Sequence, residues 1–168
     1  MLALKLGLSL VSIRPQGAWS PDDETSLVAW YQNAVGITLN GSDVSHWADS
    51  STNSYDMVQA TATEQPAYSG GVLTFVAADK NNLQTAGQIT LTDEFTLGFK
   101  AEPDTTNVII LGDNTTSNEF VKYSTTTRII LKIGGTAKNM NLDSGTFGDD
   151  YIVITRDGSN LMTLYHNG

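Results

Sequence analysis

Paired carboxylates are the first residues to test for chemistry, because glycoside hydrolysis needs two of them about 5–5.5 Å or about 6.5–9.5 Å apart across the scissile bond. The acids here stand side by side, in Asp22-Asp23-Glu24, Asp93-Glu94 and Asp149-Asp150, each at a turn or strand edge. A strand points adjacent side chains to opposite faces, so none of these runs makes a catalytic pair, and no hydrolase is expected. Histidine offers little more. His46 and His166 are the only two, too few for a multi-histidine metal centre. Ser45, His46 and the nearby Asp43 and Asp49 contain the residue types of a nucleophilic relay, but such relays are defined by geometry and not by neighbourhood in sequence, so His46 reads as structural. Neither a G-x-x-x-x-G-K-[ST] cradle nor a G-x-G-x-x-G turn is present, which removes the usual support for nucleotide binding.

Calcium is the one ion the oxygen ligands suggest. Asp113, Asn114, Asn118 and Glu119 crowd one loop, and Asp49, Asn53 and Asp79 form a second possible set. Neither follows the D-x-[DN]-x-[DN]-G spacing, so the default expectation is acidic turns facing water and no cofactor. Trp47, Tyr55, Tyr68 and Tyr123 are the aromatic candidates for a sugar-stacking platform. Trp19, in the connector between Pro15 and Pro21, is expected at an interface, where an amphipathic ring is favoured.

The 168 residues carry 18 acidic and 9 basic side chains, a net charge of −9, and no cysteine. Disulfide and zinc-thiolate frameworks are therefore excluded. The acidic balance and the scattered basic residues argue against a nucleic-acid or anionic-membrane partner. No apolar stretch reaches the roughly 18 residues that a spanning helix needs, so no membrane insertion is expected.

The elements that must position these residues read as strands. Leu2, Leu4, Leu6, Leu8 and Leu10 fall on alternate positions, with Ala3, Lys5, Gly7 and Ser9 between them, which is the period of a one-faced strand. A cleaved leader is the competing reading of Met1 to Ile13, but the lysine lies inside the leucine run and no small-x-small site follows. An exposed leucine face invites association, so Leu4, Leu6, Leu8 and Leu10, with Trp19, are the expected assembly interface. Ser20-Pro21-Asp22-Asp23 signals a short helical turn, and Leu27 to Trp30 a strand after it. Strands are further expected at 72–76, 95–101, 107–111, 120–123, 128–133, 151–156 and 161–166, separated by Gly112-Asp113-Asn114, Gly134-Gly135 and Asp157-Gly158 turns. That pattern is all-β and antiparallel, at the spacing of a two-sheet sandwich. Asn167-Gly168 is a strong hairpin turn with no returning strand after it. Either another subunit supplies that strand or further residues follow, and the second reading is preferred.

Val44-Ser45-His46-Trp47-Ala48-Asp49-Ser50-Ser51-Thr52-Asn53, continuing through Asp56, Gln59, Gln65-Pro66, Tyr68, Leu73-Thr74-Phe75 and Asp79 to Leu83, resembles the concanavalin A-like, laminin G-like jelly-roll family. The run V-x-x-W-x-D-x-S-x-N, then Q-P-x-Y/F, then L-x-F with D-x-x-L, carries the likeness. It extends from about Ser26 to Gly168, but Val76-Ala77 departs from the Asp or Asn and Gly of many relatives. The resemblance implies an antiparallel two-sheet jelly-roll sandwich, giving a domain over 21–168, while the leucine alternation and the connector make residues 1–20 an N-terminal extended arm. It implies core packing for Trp47, leaving Tyr55, Tyr68 and Tyr123 as the glycan-binding candidates. Hydrolases of that family carry E-x-D-x-E-like runs, which this chain lacks. The opening residues also resemble the start of small virion proteins of tailed phages.

Together these readings predict a non-enzymatic virion component, a fibre, decoration or tail protein at the virion surface. Its expected partners are other virion subunits, in an oligomer, and a host-surface glycan. The alternative is a carbohydrate-binding module of a secreted or cell-surface protein. The N-terminal segment discriminates the two: retained and buried on a partner in the first, removed in the second.

Overall fold

A computed structural model describes residues 19–113 and 118–168. The leucine segment and most of the connector, expected as the assembly arm, lie outside the described residues. The described chain is built from antiparallel strands and a few short 3-10 turns. Its contacts divide it at Gly87/Gln88 into two compact units.

The first unit opens with a 3-10 turn at Pro21–Asp23. The Ser20 backbone N–H donates to Asp23 Oδ2 at 2.8 Å, as the sequence signal for a helix start requires. Leu27 to Trp30 forms no strand, against expectation; side chains from a later loop hold its backbone instead of a ladder. The strands that follow are β1 Ile37–Asn40, β2 Asp43–Trp47, β3 Met57–Val58, β4 Ala67–Ser69, β5 Val72–Thr74 and β6 Gln84–Thr85. They run in the order β5-β4-β2-β3-β6, with β1 paired to β2. The strand expected over 72–76 stops at Thr74. Gly36, just before β1, has φ +69, and a Cβ there would lie 2.7 Å from that of Ala48. Its carbonyl accepts from Ala48 N–H at 2.8 Å, so only glycine brings the two segments this close.

Among the described residues of this unit apolar burial is thin, with Val44 and Pro66 the fully enclosed side chains. Polar side chains take up the work of fixing it. Gln65 Nε2 donates to the Gln59 carbonyl at 2.7 Å, Gln59 Oε1 accepts from Thr61 N–H at 2.9 Å, and Asn81 Nδ2 donates to the Gln65 carbonyl at 3.0 Å. Both glutamines are buried, and these bonds satisfy groups that burial would otherwise penalise.

The second unit comprises β7 Phe95–Ala101, β8 Val108–Gly112, β9 Phe120–Thr125, β10 Arg128–Ile133, β11 Thr136–Asn141, β12 Asp150–Arg156 and β13 Met162–His166. They make two antiparallel sheets, β11-β10-β9-β8 and β13-β12-β7. Period-two patterning explains the packing: Val121, Tyr123, Ile129 and Leu131 from the first sheet meet Ile152 and Ile154 from the second, with Met140 and Phe147, in one buried cluster. Phe95, Leu97 and Phe99, alternate residues of β7, pack against it. Gly134-Gly135 closes the β10–β11 hairpin with φ +54 and +80, the positive pair a two-residue turn demands. The Asp157-Gly158 turn is longer than the expected two residues. Asp157 N–H donates to the Leu161 carbonyl at 3.0 Å, and Asp157 Oδ1 accepts from Ser159 and Leu161 N–H groups at 2.9 Å each.

Candidate functional site

Asp49 is the most heavily engaged carboxylate of the first unit. It follows β2 on a loop whose Asp-x-Ser-x-Asn spacing turns three short polar side chains toward the Leu27–Trp30 backbone. Asp49 Oδ1 accepts from Trp30 and Ser51 N–H groups at 2.8 Å each, and Oδ2 accepts from the Ser51 hydroxyl at 2.7 Å and Tyr55 N–H at 3.0 Å. Asn53 Nδ2 donates to the Leu27 and Val28 carbonyls at 2.8 and 2.9 Å, and the Ser51 hydroxyl is 3.1 Å from the Val28 carbonyl. The Asx and Ser side chains thus supply partners that a neighbouring strand would have supplied.

Asp56 completes the cluster. Its Oδ1 accepts from Asp49 N–H at 2.9 Å, and its Oδ2 lies 3.1 Å from His46 Nε2. Tyr31 donates its hydroxyl to the Tyr55 carbonyl and packs its ring 5.6 Å from that of Trp47, whose Nε1 donates to the Gln32 carbonyl at 3.0 Å. Burial, then the charges of Asp49 and Asp56, push the Tyr31 hydroxyl up to about 12. Burial alone would raise the Asp49 carboxyl, but the bonds from Ser51, Trp30 and Tyr55 outweigh it and hold the group below the ordinary carboxylate range. The bond from Asp49 N–H, then that from His46, does the same for Asp56.

A second histidine–aspartate pair ties the ends of β12 and β13. Asp150 Oδ1 accepts from Asn167 Nδ2 at 2.7 Å, while Oδ2 accepts from Gly148 N–H at 2.6 Å and sits 2.8 Å from His166 Nε2. Asn167, Gly148 and His166, in that order, hold the Asp150 carboxyl down at about 2. A depressed carboxylate stabilises the fold above its unfolded pKa and loses that contribution as the pH falls through its folded one. Stability of the second unit, followed by far-UV circular dichroism in urea, should therefore fall between about pH 4 and pH 2. In Asp150→Asn that acid-dependent loss should be much reduced, and an unchanged pH profile would remove Asp150 from the account.

Among the described residues neither pair is hydrogen-bonded to a serine or threonine hydroxyl. The Ser45 hydroxyl donates to the Thr38 carbonyl at 3.1 Å and leaves His46 without it. The carboxylates best held in these clusters accept from the chain's own backbone, so the chemistry of the arrangement is positioning of loops. A cleft of about 470 Å³ in the second unit is lined by Asp93, Glu94, Asp157, Gly158 and Asn160.

The structure separates the glycan-binding candidates. Tyr55 is half-buried in the loop before β3, with its own backbone N–H and carbonyl engaged. Tyr68 is half-buried on β4, opposite Leu73. Tyr123 is a correction: it is 1% exposed, edge-on to Phe147 with ring centroids 4.9 Å apart, and offers no face to a sugar. Burial, then the Asp150 charge, push its hydroxyl up to about 12. The alternation in Phe120-Val121-Lys122-Tyr123 carried this signal, since Lys122 facing water sends Val121 and Tyr123 inward. Trp47 is half-buried against Tyr31, and Trp19 is 71% exposed. Leu4, Leu6, Leu8 and Leu10 lie outside the described residues.

Among the described residues the calcium candidates are not brought together. Asp113 N–H donates to the Glu119 carbonyl at 3.0 Å, Glu119 Oε2 accepts from Gln88 at 3.2 Å, and the Asn118 carbonyl accepts from Gly135 N–H at 3.1 Å. Asn114 lies outside the described residues. Asp49 and Asn53 are engaged in the backbone clamp, and Asp79 ends the 3-10 turn Ala77–Asp79. Among the described residues no group of three His, Asp or Glu is placed to hold a metal ion. No described helix is long and apolar enough to cross a membrane.

With this geometry in view, the comparisons return nothing: no family model, no curated protein and no solved structure matches the chain. The fold and site define an antiparallel all-β chain whose polar clusters fasten loops.

Proposed function

We propose that the protein is a non-enzymatic structural and adhesion component of a tailed-phage virion, a fibre, decoration or tail protein, held by its N-terminal leucine strand and displaying a lectin-like jelly-roll domain outward. The observation that carries this reading is the period-two spacing of the leucines from Leu2 to Leu10, which in a strand would make one apolar face in need of a cover. Support for the jelly roll comes from the two antiparallel sheets of the second unit, whose inward faces share one apolar cluster. Support for a non-catalytic role comes from Asp49, Asp56 and Asp150, whose oxygens accept from backbone N–H groups and from the Ser51, Asn167 and histidine side chains that fasten their own loops.

The test is incorporation. Leu6→Asp should abolish assembly of the protein into particles while leaving the circular dichroism of the displayed domain unchanged, and mass spectrometry of the particle-bound protein should find Leu2 to Leu10 retained. Normal incorporation of the variant would overturn the proposal. A processed N-terminus on a monomer would turn the reading to a secreted carbohydrate-binding module.

A further inference from the structure

The β13-β12-β7 sheet presents one face to the core and one outward. Its inward residues, Phe99, Ile152, Leu97, Ile154 and Leu164, belong to the core or pack against it. The registers therefore send Tyr151 and Tyr165 to the opposite face, where they are 64% and 48% exposed. Val153 pairs with Tyr165 across the strands and Tyr151 stands two residues earlier on β12, so the two rings are diagonal neighbours, roughly 7–8 Å apart at their Cα atoms. Gly98 pairs with Val153 from the third strand, and a Cβ there would lie 3.8 Å from the Val153 side chain.

The borders of this face are polar. Thr96, Thr155 and Thr163 are in register as one cross-strand row. On the other side Lys100, paired with Tyr151, sends its ammonium to 5.4 Å from that ring's centroid and to 2.7 Å from Asp149 Oδ2. The tyrosines are set on a rigid frame: Asn167 accepts from Tyr151 N–H at 3.0 Å through Oδ1 and donates its own N–H to the Tyr151 carbonyl at 2.9 Å.

We infer that this face binds a neutral glycan, with pyranose rings laid on Tyr151 and Tyr165 and their hydroxyls met by the threonine row and the Lys100–Asp149 pair. Three features select that occupant. Flat rings suit the C–H face of a sugar, and tyrosine supplies such area at low entropic cost. Hydroxyls and charges bordering the rings suit a ligand that alternates C–H and O–H groups, whereas an apolar protein segment would leave them unpaired. Lys100 and Asp149 neutralise each other, so the face asks for no net charge in its ligand. None of the tyrosines singled out by sequence is part of it. The inference rests on the displayed-domain reading and names the surface that would do the adhering.

Affinity electrophoresis of the full chain tests it, through gels containing laminarin, hydroxyethyl cellulose, xylan, mannan or dextran. At least one polysaccharide should retard the native protein, and Tyr151→Ala and Tyr165→Ala should each weaken retardation about tenfold with unchanged circular dichroism. Tyr68→Ala should leave it unaltered. Retardation by none of the five, or equal retardation of both variants, overturns the inference. So does a change in oligomeric size by light scattering in Tyr151→Ala, which would make the face an interface between copies. Tyr151→Ala should still enter particles, so loss of glycan binding and loss of assembly are read separately.

Discussion

Asp49→Ala should lower the stability of the first unit by about 2–4 kcal/mol. The carboxylate accepts from Trp30 N–H, Ser51 N–H, the Ser51 hydroxyl and Tyr55 N–H, and a hydrogen bond to a charged group contributes about 1.5–3 kcal/mol. The site is half-buried, so water replaces part of what is lost and the sum falls well short of four full bonds. Asp49→Asn keeps one acceptor oxygen and should lose about half as much. The measurement is convenient because all three tryptophans, Trp19, Trp30 and Trp47, precede Gly87, so the urea transition followed by tryptophan fluorescence reports this unit. A midpoint unchanged in Asp49→Ala would show that the clamp does not hold Leu27 to Trp30.

Ile152→Ala should lower the stability of the second unit by about 2–5 kcal/mol. Ile152 is fully buried, lies between Phe99 and His166 across the strands, and joins the cluster shared by both sheets. Truncation removes its transfer free energy and leaves a cavity among rigid strands that collapse poorly. At about 4–8 °C per kcal/mol for a unit of this size, the melting temperature by circular dichroism should drop by at least about 8 °C. Val153→Ala, one residue along on the outward face, should cost far less, and equal losses at the two positions would invalidate the inward–outward assignment of β12.

Much of the second unit was legible from alternation and from short apolar runs. Phe95 to Ala101 places apolar residues on every second position, Arg128 to Ile133 and Tyr151 to Arg156 carry continuous apolar, β-branched runs, and each forms the expected strand within a residue of its expected ends. β11 escaped because Thr136-Ala137-Lys138-Asn139-Met140-Asn141 has a single buried apolar side chain, Met140, and is a strand through its pairing with β10. The first unit escaped almost entirely. Its strands are short and polar, and Leu27 to Trp30, apolar enough to suggest a ladder, is held by side chains from Asp49 to Asn53.

The candidate sites divide along the same line. The spacing Asp49, Ser51, Asn53 could be read directly, but its partners lie 19 to 26 residues earlier, and nothing in local sequence identifies them. The tyrosines chosen for exposure in sequence proved half-buried or buried, while Tyr151 and Tyr165 became neighbours only through the β12–β13 register. By itself the sequence determined the all-β character, the turn glycines, the inward face of the long strands and the acidic charge, because each depends on a side chain and its near neighbours. Tertiary structure alone decided which backbone segments the polar side chains clamp and which aromatic rings share a face, because hydrogen-bond partners and cross-strand neighbours are set by the closing of long loops.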